Sequence, residues 1–429
     1  MSEHLVIVGN GIAGITTARH VRKRSNRKIT VISAETEHFF SRTALMYIYM
    51  GHMRFQDIKP YPDNFWKKNK IDLVFDYVEK IDTENRQLLL KENSPLAYDK
   101  LVLATGSKSN KFGWPGQDLP GVQGLYSHQD LILMEENTRG ISQAVVVGGG
   151  LIGVEVTEML LSRNIQVTFL AREEYYWDNV LPKNEAKLIG KHLIEHGVDL
   201  RLQTNLQEIV AGQNGRAAGV VTNSGEHIQC QFVALTPGVH PNIDLAKSSG
   251  LKVGRGVLVN DYLETSVADI FATGDCAEIV GEDGQKNRLE QLWYTGKMQG
   301  MALAGTICGK RVKYERGVWY NSAKFMDIEY QTYGFVSNLP LEGESSFYWE
   351  SADGRQCIRI NYRTDSEQIT GLIFFGMRMR QEICQRWIQE GRKIDWVIKN
   401  LSEANFDPEF FKSPIKNAAA AYYREHNKS

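Results

Sequence analysis

Cysteine is scarce: five residues (Cys230, Cys276, Cys308, Cys357, Cys384) stand in a chain of 429, without a C-x-x-C pair or any metal-ligand spacing. The odd count and scattered positions exclude a disulfide framework and a cysteine-bound metal, and predict reduced, mostly buried thiols. Neither sign of charge dominates, with 50 Lys and Arg against 51 Asp and Glu, so the chain has no global bias toward nucleic acid or an anionic membrane. No apolar run approaches the ~20 residues of a membrane span, and the chain enters an apolar strand at Leu5 with no signal-like segment before it. A cytoplasmic protein is the expectation. Hydrophobic residues make up 42% and charged residues 24%, which is a globular composition, and the length calls for two or three domains.

What is present begins with "VIVGNGIAGITTARHV", Val6 to Val21. The run Leu5 to Val8 reads as a buried strand, and Ile12, Ile15 and Val21 give the following segment a helical spacing. Between them, Gly9-x-Gly11-x-x-Gly14 permits a tight turn, close approach of backbone to a pyrophosphate and close packing of helix on strand. Taken alone, such a turn is also what any strand, bend and helix produce. From Ala144, however, "AVVVGGGLIGVEVTEMLLSRNIQVTFLAR" repeats the pattern with Gly148-x-Gly150-x-x-Gly153 and a further strand, Val167 to Leu170. Two such βαβ units imply two nucleotide sites in two domains. Two more strands end in small residues: "YDKLVLATGSK" in Ala104-Thr105-Gly106, and "TSVADIFATGDCA" in Gly274-Asp275. Parallel strands bind ligands beyond their carboxyl ends, so Asp275 is placed to reach a ligand hydroxyl or phosphate linker.

In this order the motifs resemble the FAD-dependent pyridine nucleotide-disulfide oxidoreductase superfamily, most nearly its NAD(P)H:rubredoxin or ferredoxin reductase and NADH oxidase branch. The resemblance extends over about residues 4–335 and includes "WPG" at Trp114 to Gly116 and "PGVHPN" at Pro237 to Asn242. It implies that Gly9, Gly11, Ile12, Ala13, Gly14, Ala104, Thr105, Gly106, Gly274 and Asp275 hold FAD, with Asp275 on the ribityl chain. Gly148, Gly150, Leu151, Ile152 and Gly153 would hold NAD(P)H, and Gly238 of "PGVHPN" is counted with the cofactor residues. Past the second strand the family has an acid for the adenosine ribose, and Glu35 matches it best, although Ser33 stands at the strand end. In the family a helix N-terminus meets the pyrimidine edge of the flavin where this chain has Gln291, Leu292, Trp293 and Tyr294; the two aromatics fit a core role equally well. Glu155 would lie near the meeting point of nicotinamide and flavin, or else serve as a first-turn acid that complements the helix dipole.

The segment Ser33 to Gly51, where the disulfide reductases of the superfamily carry their redox-active cysteine, has none. A dithiol relay is thereby excluded, and electrons would leave the flavin directly. In the same segment Arg42 and Leu45 match the ferredoxin-reductase pattern. Arg42 would touch flavin or pyrophosphate, or else be a surface ion-pair residue. Tyr47 stands where that branch has a lysine, so the lysine contact does not carry over, and an aromatic wall beside the ring takes its place. For the second nucleotide, "VTFLAREE" ends its strand in Ala171-Arg172. An acid there would bond the ribose hydroxyls of NADH, whereas a small residue followed by arginine accommodates a 2′-phosphate, so NADPH is expected ahead of NADH, with Glu173 or Glu174 on the ribose as the alternative.

The expected fold is α/β: two Rossmann-like dinucleotide-binding domains and a C-terminal α+β domain. Asp275 must return to the ligand of Gly11, which gives an FAD domain of 1–115 and 243–312, an NAD(P) domain of 116–242 and a third domain of 313–429. Alternation over Glu315 to Ser337, "GRQCIRINYR" and "ITGLIFFG" predicts strands, while Met379 to Gly391 and Lys393 to Leu401 predict helices. The tail "NAAAAYYREHNKS" reads equally as a short helix or as disorder. The resulting expectation is an oxidoreductase passing electrons from NAD(P)H through FAD to a small redox protein or low-molecular-weight acceptor. Alternatives are a quinone reductase of the type II NADH dehydrogenase kind and an NAD(P)H-sensing flavoprotein that binds a partner. Monomer and homodimer both remain open.

Overall fold

The computed structural model describes residues 3–281, 285–406 and 414–426. Its chain forms two compact units, one of Met1–Phe112, Gln123–Arg139 and Gly238–Arg316, the other of Gly113–Val122, Gly140–Pro237 and Gly317–Ser429.

The first unit is built on a parallel five-stranded sheet in the order Ile270–Ala272, Lys100–Leu103, His4–Val8, Lys28–Ser33, Asp72–Phe75. Its central strands carry unbroken apolar runs because both faces are covered. Leu5, Val6, Ile7, Leu101 and Val102 are all fully buried. The helices Ile12–Arg22 and Trp293–Ile307 pack backbone to backbone: a Cβ on Gly300 would come within 2.6 Å of the Ala13 carbonyl, and Thr17 Oγ1 donates to the Gly300 carbonyl at 3.4 Å. A small antiparallel sheet, Val78–Asp82, Gln87–Leu90 and Leu96–Ala97, completes the unit together with the strands Val257–Val259, Ala277–Ile279 and Arg288–Leu289. The segment 123–139 also belongs to it. Its helix His128–Asn137 opens on a capping box formed by Ser127 and Asp130, and Tyr49 bonds Thr138 just past its end at 2.7 Å.

The second unit repeats the parallel pattern with Asp199–Arg201, Gln166–Leu170, Gln143–Val147 and Phe232–Leu235 in that order. The helix Leu151–Leu161 follows its glycine-rich turn. An antiparallel three-stranded sheet, Leu206–Ala211, Ala217–Thr222 and His227–Gln229, adds to its core. The same unit holds a five-stranded antiparallel sheet in the order Tyr320–Phe325, Ile328–Gly334, Ile369–Phe375, Cys357–Arg363, Glu344–Glu350. The alternating stretch from Glu315 to Ser337 is therefore two strands, folded back at Met326, whose φ of 54° makes the turn. The strand Glu344–Glu350 was not foreseen. Helices Gln381–Gln389 and Ile394–Asn400 lie where expected, and the tail forms the helix Ile415–Glu425; residues 427–429 of that tail lie outside the described residues. Trp387, Ile358, Phe374 and Tyr422 anchor this core.

Within the second unit a buried ion pair ties the helix Lys183–Glu195 to the strand Cys357–Arg363 of the five-stranded antiparallel sheet. Glu185, in the first turn of the helix Lys183–Glu195, is fully buried and receives a two-pronged contact from Arg359 at 2.5 and 2.9 Å. Arg359 Nη1 also donates to Ser346 Oγ at 2.9 Å. Among the described residues no helix is long and apolar enough to cross a membrane.

Candidate functional site

The turn after His4–Val8 is dictated by sterics. Gly9 has φ +110°, and a Cβ there would run into the Ala104 carbonyl of the neighbouring strand end. Its N–H donates to the Ile32 carbonyl at 2.8 Å, and the Ala104 N–H to the Val8 carbonyl at 2.8 Å, so the turn is tied to both flanking strands. A Cβ on Gly11, by contrast, would meet nothing within 4 Å. Gly11 opens the helix Ile12–Arg22 without a side-chain cap. The N–H groups of Ile12, Ala13 and Gly14 consequently have no acceptor within the helix, and they stand at the positive end of its dipole. That is a cradle for an anion, with an open side.

Other expected residues converge on it. Gly274 follows the strand Ile270–Ala272, and its N–H donates to Gln299 Oε1 at 2.7 Å. A Cβ on Gly296 would lie 3.4 Å from Ile12 Cγ2 and 3.8 Å from Gly274 Cα, which brings the first turn of the helix Trp293–Ile307 beside both. Gln291 and Leu292 lead directly into that helix.

A continuous polar chain joins these segments. Asp275 Oδ2 accepts from Ser107 Oγ at 3.0 Å and from the Tyr126 hydroxyl at 3.4 Å, and Gln291 Nε2 donates to Ser107 Oγ at 2.8 Å. The Tyr126 carbonyl accepts from Arg42 at 2.6 Å, and the Arg42 guanidinium lies 4.5 Å from the centre of the Tyr126 ring. Arg42 in turn grips Glu35 with two bonds of 2.8 and 2.5 Å. Burial pushes the Asp275 carboxyl above its usual range, against the pull of Ser107 and Arg42. It also pushes Tyr126 up to about 12, helped by the Asp275 charge. Burial works to lower Arg42, but the Glu35 carboxylate more than offsets it and raises the guanidinium instead. Arg42 is thus a half-buried member of this chain, and not a solvent-facing ion-pair residue. Glu35 is fully engaged: beyond Arg42 it accepts the His128 N–H at 2.9 Å.

Tyr47 lies in the short helix Leu45–Tyr49, its ring stacked on His52 with centroids 6.3 Å apart. Gly106 faces the Tyr126 hydroxyl, and Thr105 Oγ1 donates to the Asn242 carbonyl at 2.7 Å. Gly238 lies in the first unit, where its carbonyl accepts from the Asn110 N–H at 3.0 Å. Trp293 and Tyr294 pack edge to face with centroids 5.5 Å apart.

The second unit carries the second turn on the same logic. Gly148 has φ +117°, and a Cβ would sit 2.5 Å from the Thr236 carbonyl, while one on Gly150 would meet nothing within 4 Å. Gly150 opens the helix Leu151–Leu161, again without a side-chain cap, leaving the N–H groups of Leu151, Ile152 and Gly153 without a helical acceptor. Ala171, at the end of the adjacent strand, is fully buried. Arg172 next to it has a side chain 74% exposed, with Nε 3.3 Å from Glu173 Oε1. Glu173 turns the other way: its Oε2 lies 3.1 Å from the Cβ position of Gly149 and is buried without a hydrogen-bond partner among the described residues. Orphaned buried oxygens are uncommon, and this one stands at the turn itself.

Glu155 sits on the same helix, past its first turn, and burial together with neighbouring Glu158 lifts its carboxyl up to about 7. Glu158 itself is paired with Lys324 at 2.5 Å. All five cysteines are free thiols. Burial raises those of Cys230, Cys276, Cys357 and Cys384 and keeps them protonated. Sequence reasoning passed over Ser107, Tyr126 and the inward turn of Glu173. Ser107 was within reach, one residue past Ala104-Thr105-Gly106; Tyr126 had only the Ser127-x-x-Asp130 capping signal beside it.

Known proteins bear the same pattern. Residues 3–300 match the family model described as pyridine nucleotide-disulphide oxidoreductase. The chain is 29% identical over 378 residues to a nitrite reductase [NAD(P)H] of Bacillus subtilis (strain 168), covering 87% of this chain and 46% of that one. It is 31% identical over 326 residues to rhodocoxin reductase of Rhodococcus erythropolis, covering 75% and 76%. The chain spans about half the length of the nitrite reductase and of a further curated Bacillus subtilis relative it matches. Among solved structures, an engineered water-forming NADPH oxidase bound to NADPH, a variant of the Lactobacillus brevis NADH oxidase, shares the fold with a TM-score of 0.81 at 18% identity, covering 98% of each chain.

Proposed function

The chain belongs to the pyridine nucleotide-disulphide oxidoreductase family of FAD-dependent NAD(P)H oxidoreductases, and from that premise we propose that it passes electrons from NADPH to a small redox protein or a low-molecular-weight acceptor in the cytoplasm, without a thiol relay. The observation that carries this reading is the polar chain Glu35–Arg42–Tyr126–Asp275–Ser107–Gln291 beside the open helix N-terminus at Gly11. Its donors and acceptors suit a long phosphate-bearing cofactor. When bound, FAD supplies the hydride and electron chemistry, and the protein orients and insulates it. In this reading the N–H groups of Ile12, Ala13 and Gly14 take the diphosphate, Asp275 accepts from a ribityl hydroxyl, and Arg42 holds positive charge beside it. Tyr47 would wall the ring, and Gln291, Leu292 and Trp293 would bound its pyrimidine edge. In the second unit Leu151, Ile152 and Gly153 would take the nucleotide diphosphate.

No cysteine is required in this scheme. With all five replaced by Ser or Ala, flavin reduction by the nucleotide should persist even if thermal stability falls. Loss of the reduction in a variant that still binds FAD would refute the claim.

Glu155 gives a pH signature. Its carboxyl is neutral below about pH 7 and negative above it, and added negative charge opposes a polyanionic nucleotide at the same helix. The reduction rate at subsaturating nucleotide should therefore fall as pH rises through about 7, and Glu155→Gln should flatten that step. An unchanged step in the variant would remove Glu155 from the nucleotide site.

The preference for NADPH draws on Ala171 and Arg172. The engineered NADPH oxidase carries an aspartate-to-alanine change followed at once by an alanine-to-arginine change, the same pair of product residues. A second reading has support in the orphaned Glu173 Oε2, which suits the ribose hydroxyls of NADH. An anaerobic comparison of the two nucleotides, then an acceptor screen spanning redox proteins, dioxygen and a soluble quinone, tests the proposal; a chain that neither nucleotide reduces would defeat it.

A further inference from the structure

The helix Lys183–Glu195 is clamped at its start by the Glu185–Arg359 pair, and its far end carries a cluster that the proposed reaction leaves without a task. His192 and His196 are one turn apart and share a face. Asp327 stands in the turn between the strands Tyr320–Phe325 and Ile328–Gly334 of the same unit. His192 Nε2 lies 2.6 Å from Asp327 Oδ1, and His196 Nε2 3.4 Å from that same oxygen. The three donor atoms all fall within 4.8 Å of one another.

Three further observations point to a ligand. His196 Nδ1 lies 2.9 Å from the His192 carbonyl, which can only accept, so Nδ1 carries the proton and Nε2 offers its lone pair. Metal-bound histidines are oriented in this manner by a backbone carbonyl on the distal nitrogen. His192 is 2% exposed, and among the described residues neither of its ring nitrogens has a hydrogen-bond partner of acceptable geometry, although Nε2 lies 2.6 Å from Asp327 Oδ1. Finally, Arg355 Nη1 approaches Asp327 Oδ2 at 3.3 Å, which engages that oxygen and leaves Oδ1 to the histidines.

We propose that His192 Nε2, His196 Nε2 and Asp327 Oδ1 bind one divalent transition-metal ion, Zn²⁺ being the representative, with water in the remaining position. Bonds of about 2.0–2.2 Å in a tetrahedral site set ligand-to-ligand edges of about 3.3 Å. The 3.4 Å edge already meets this, and the 2.6 Å edge opens by a small movement of Asp327, whose side chain is 55% exposed. Two imidazoles and one carboxylate favour zinc, nickel or copper over calcium or magnesium, which take all-oxygen sites. The ion would tie the nucleotide-binding layer of this unit to its antiparallel sheet.

The test uses full-length, flavin-loaded protein, stripped with a chelator, dialysed and titrated with Zn²⁺ against a chromophoric indicator. One saturable equivalent per chain is expected, together with a rise in the thermal midpoint. His196→Gln and Asp327→Ala, both at exposed or half-exposed positions, should each weaken binding by about tenfold or more, and should cancel the thermal rise. His227→Gln, at an exposed histidine elsewhere in the unit, should change neither. A wild-type chain with no saturable site, or variants that bind Zn²⁺ as the wild type does, would overturn the assignment.

Discussion

Asp275→Ala is expected to purify largely without flavin. Ser107 and Tyr126 converge on this carboxylate, Arg42 is close enough to favour its charged form, and it stands beyond the end of the strand Ile270–Ala272, where parallel sheets receive ligands. Burial holds it above the usual carboxylate range, so its negative charge is costly unless a donor meets it, and a ligand hydroxyl is such a donor. Removing it also leaves the Tyr126 hydroxyl and Ser107 Oγ short of an acceptor, at roughly 1–3 kcal/mol for each group left unsatisfied. Flavin content per chain, with circular dichroism to confirm folding and Asp275→Asn as the isosteric control, measures the outcome. Full occupancy in the alanine variant would remove Asp275 from the FAD site.

The second large effect concerns selectivity between nucleotides. Arg172 is exposed, among the described residues is held only by a 3.3 Å contact to Glu173, and follows a fully buried Ala171 that offers no acid to a ribose. A guanidinium with that freedom can close on a 2′-phosphate, and a charge-assisted bond of this kind contributes roughly 1.5–3 kcal/mol. Arg172→Ala should therefore weaken NADPH by about 10- to 100-fold while leaving NADH nearly unchanged. Glu173→Gln separates the two readings of this strand end. If Arg172 governs, the glutamine variant gains NADPH use, because a negative charge beside the phosphate is gone; if Glu173 holds the ribose, the variant loses NADH use instead. Equal losses for both nucleotides in Arg172→Ala, or a wild-type preference for NADH, would contradict the NADPH assignment.

Much of this site was legible because the constraints are local. Gly9 and Gly148 sit where a neighbouring carbonyl leaves no room for a Cβ, so the turn has to be written in glycine and can be read back from it. Gly274-Asp275 and Ala104-Thr105-Gly106 follow apolar strands that parallel pairing buries on both sides, and strand ends of that kind are visible as runs. What was not legible depends on where distant segments land. Tyr126 reaches Asp275 only because 123–139 folds with the first unit, and nothing in the local pattern of that segment announces the return. Arg42 reads equally as a cofactor contact and as a surface cation, and only the approach of Tyr126 and Glu35 separates the two. The inward turn of Glu173 is a choice of side-chain direction just past a strand, which no periodicity encodes. His192 and His196 have a spacing that can be read from the chain, but Asp327 comes from a hairpin that appeared as one continuous alternation until Met326 was seen to reverse it.

The central claim is that electrons pass from nucleotide to flavin and onward with no thiol in between. Its most direct test is anaerobic titration of the purified yellow protein with NADPH, followed by flavin absorbance. One equivalent of NADPH per bound flavin should complete the bleaching, in wild type and in the cysteine-free variant alike, and adding an oxidant should restore the colour. A requirement for a second equivalent that disappears when the cysteines are removed would reveal a thiol store and contradict the account.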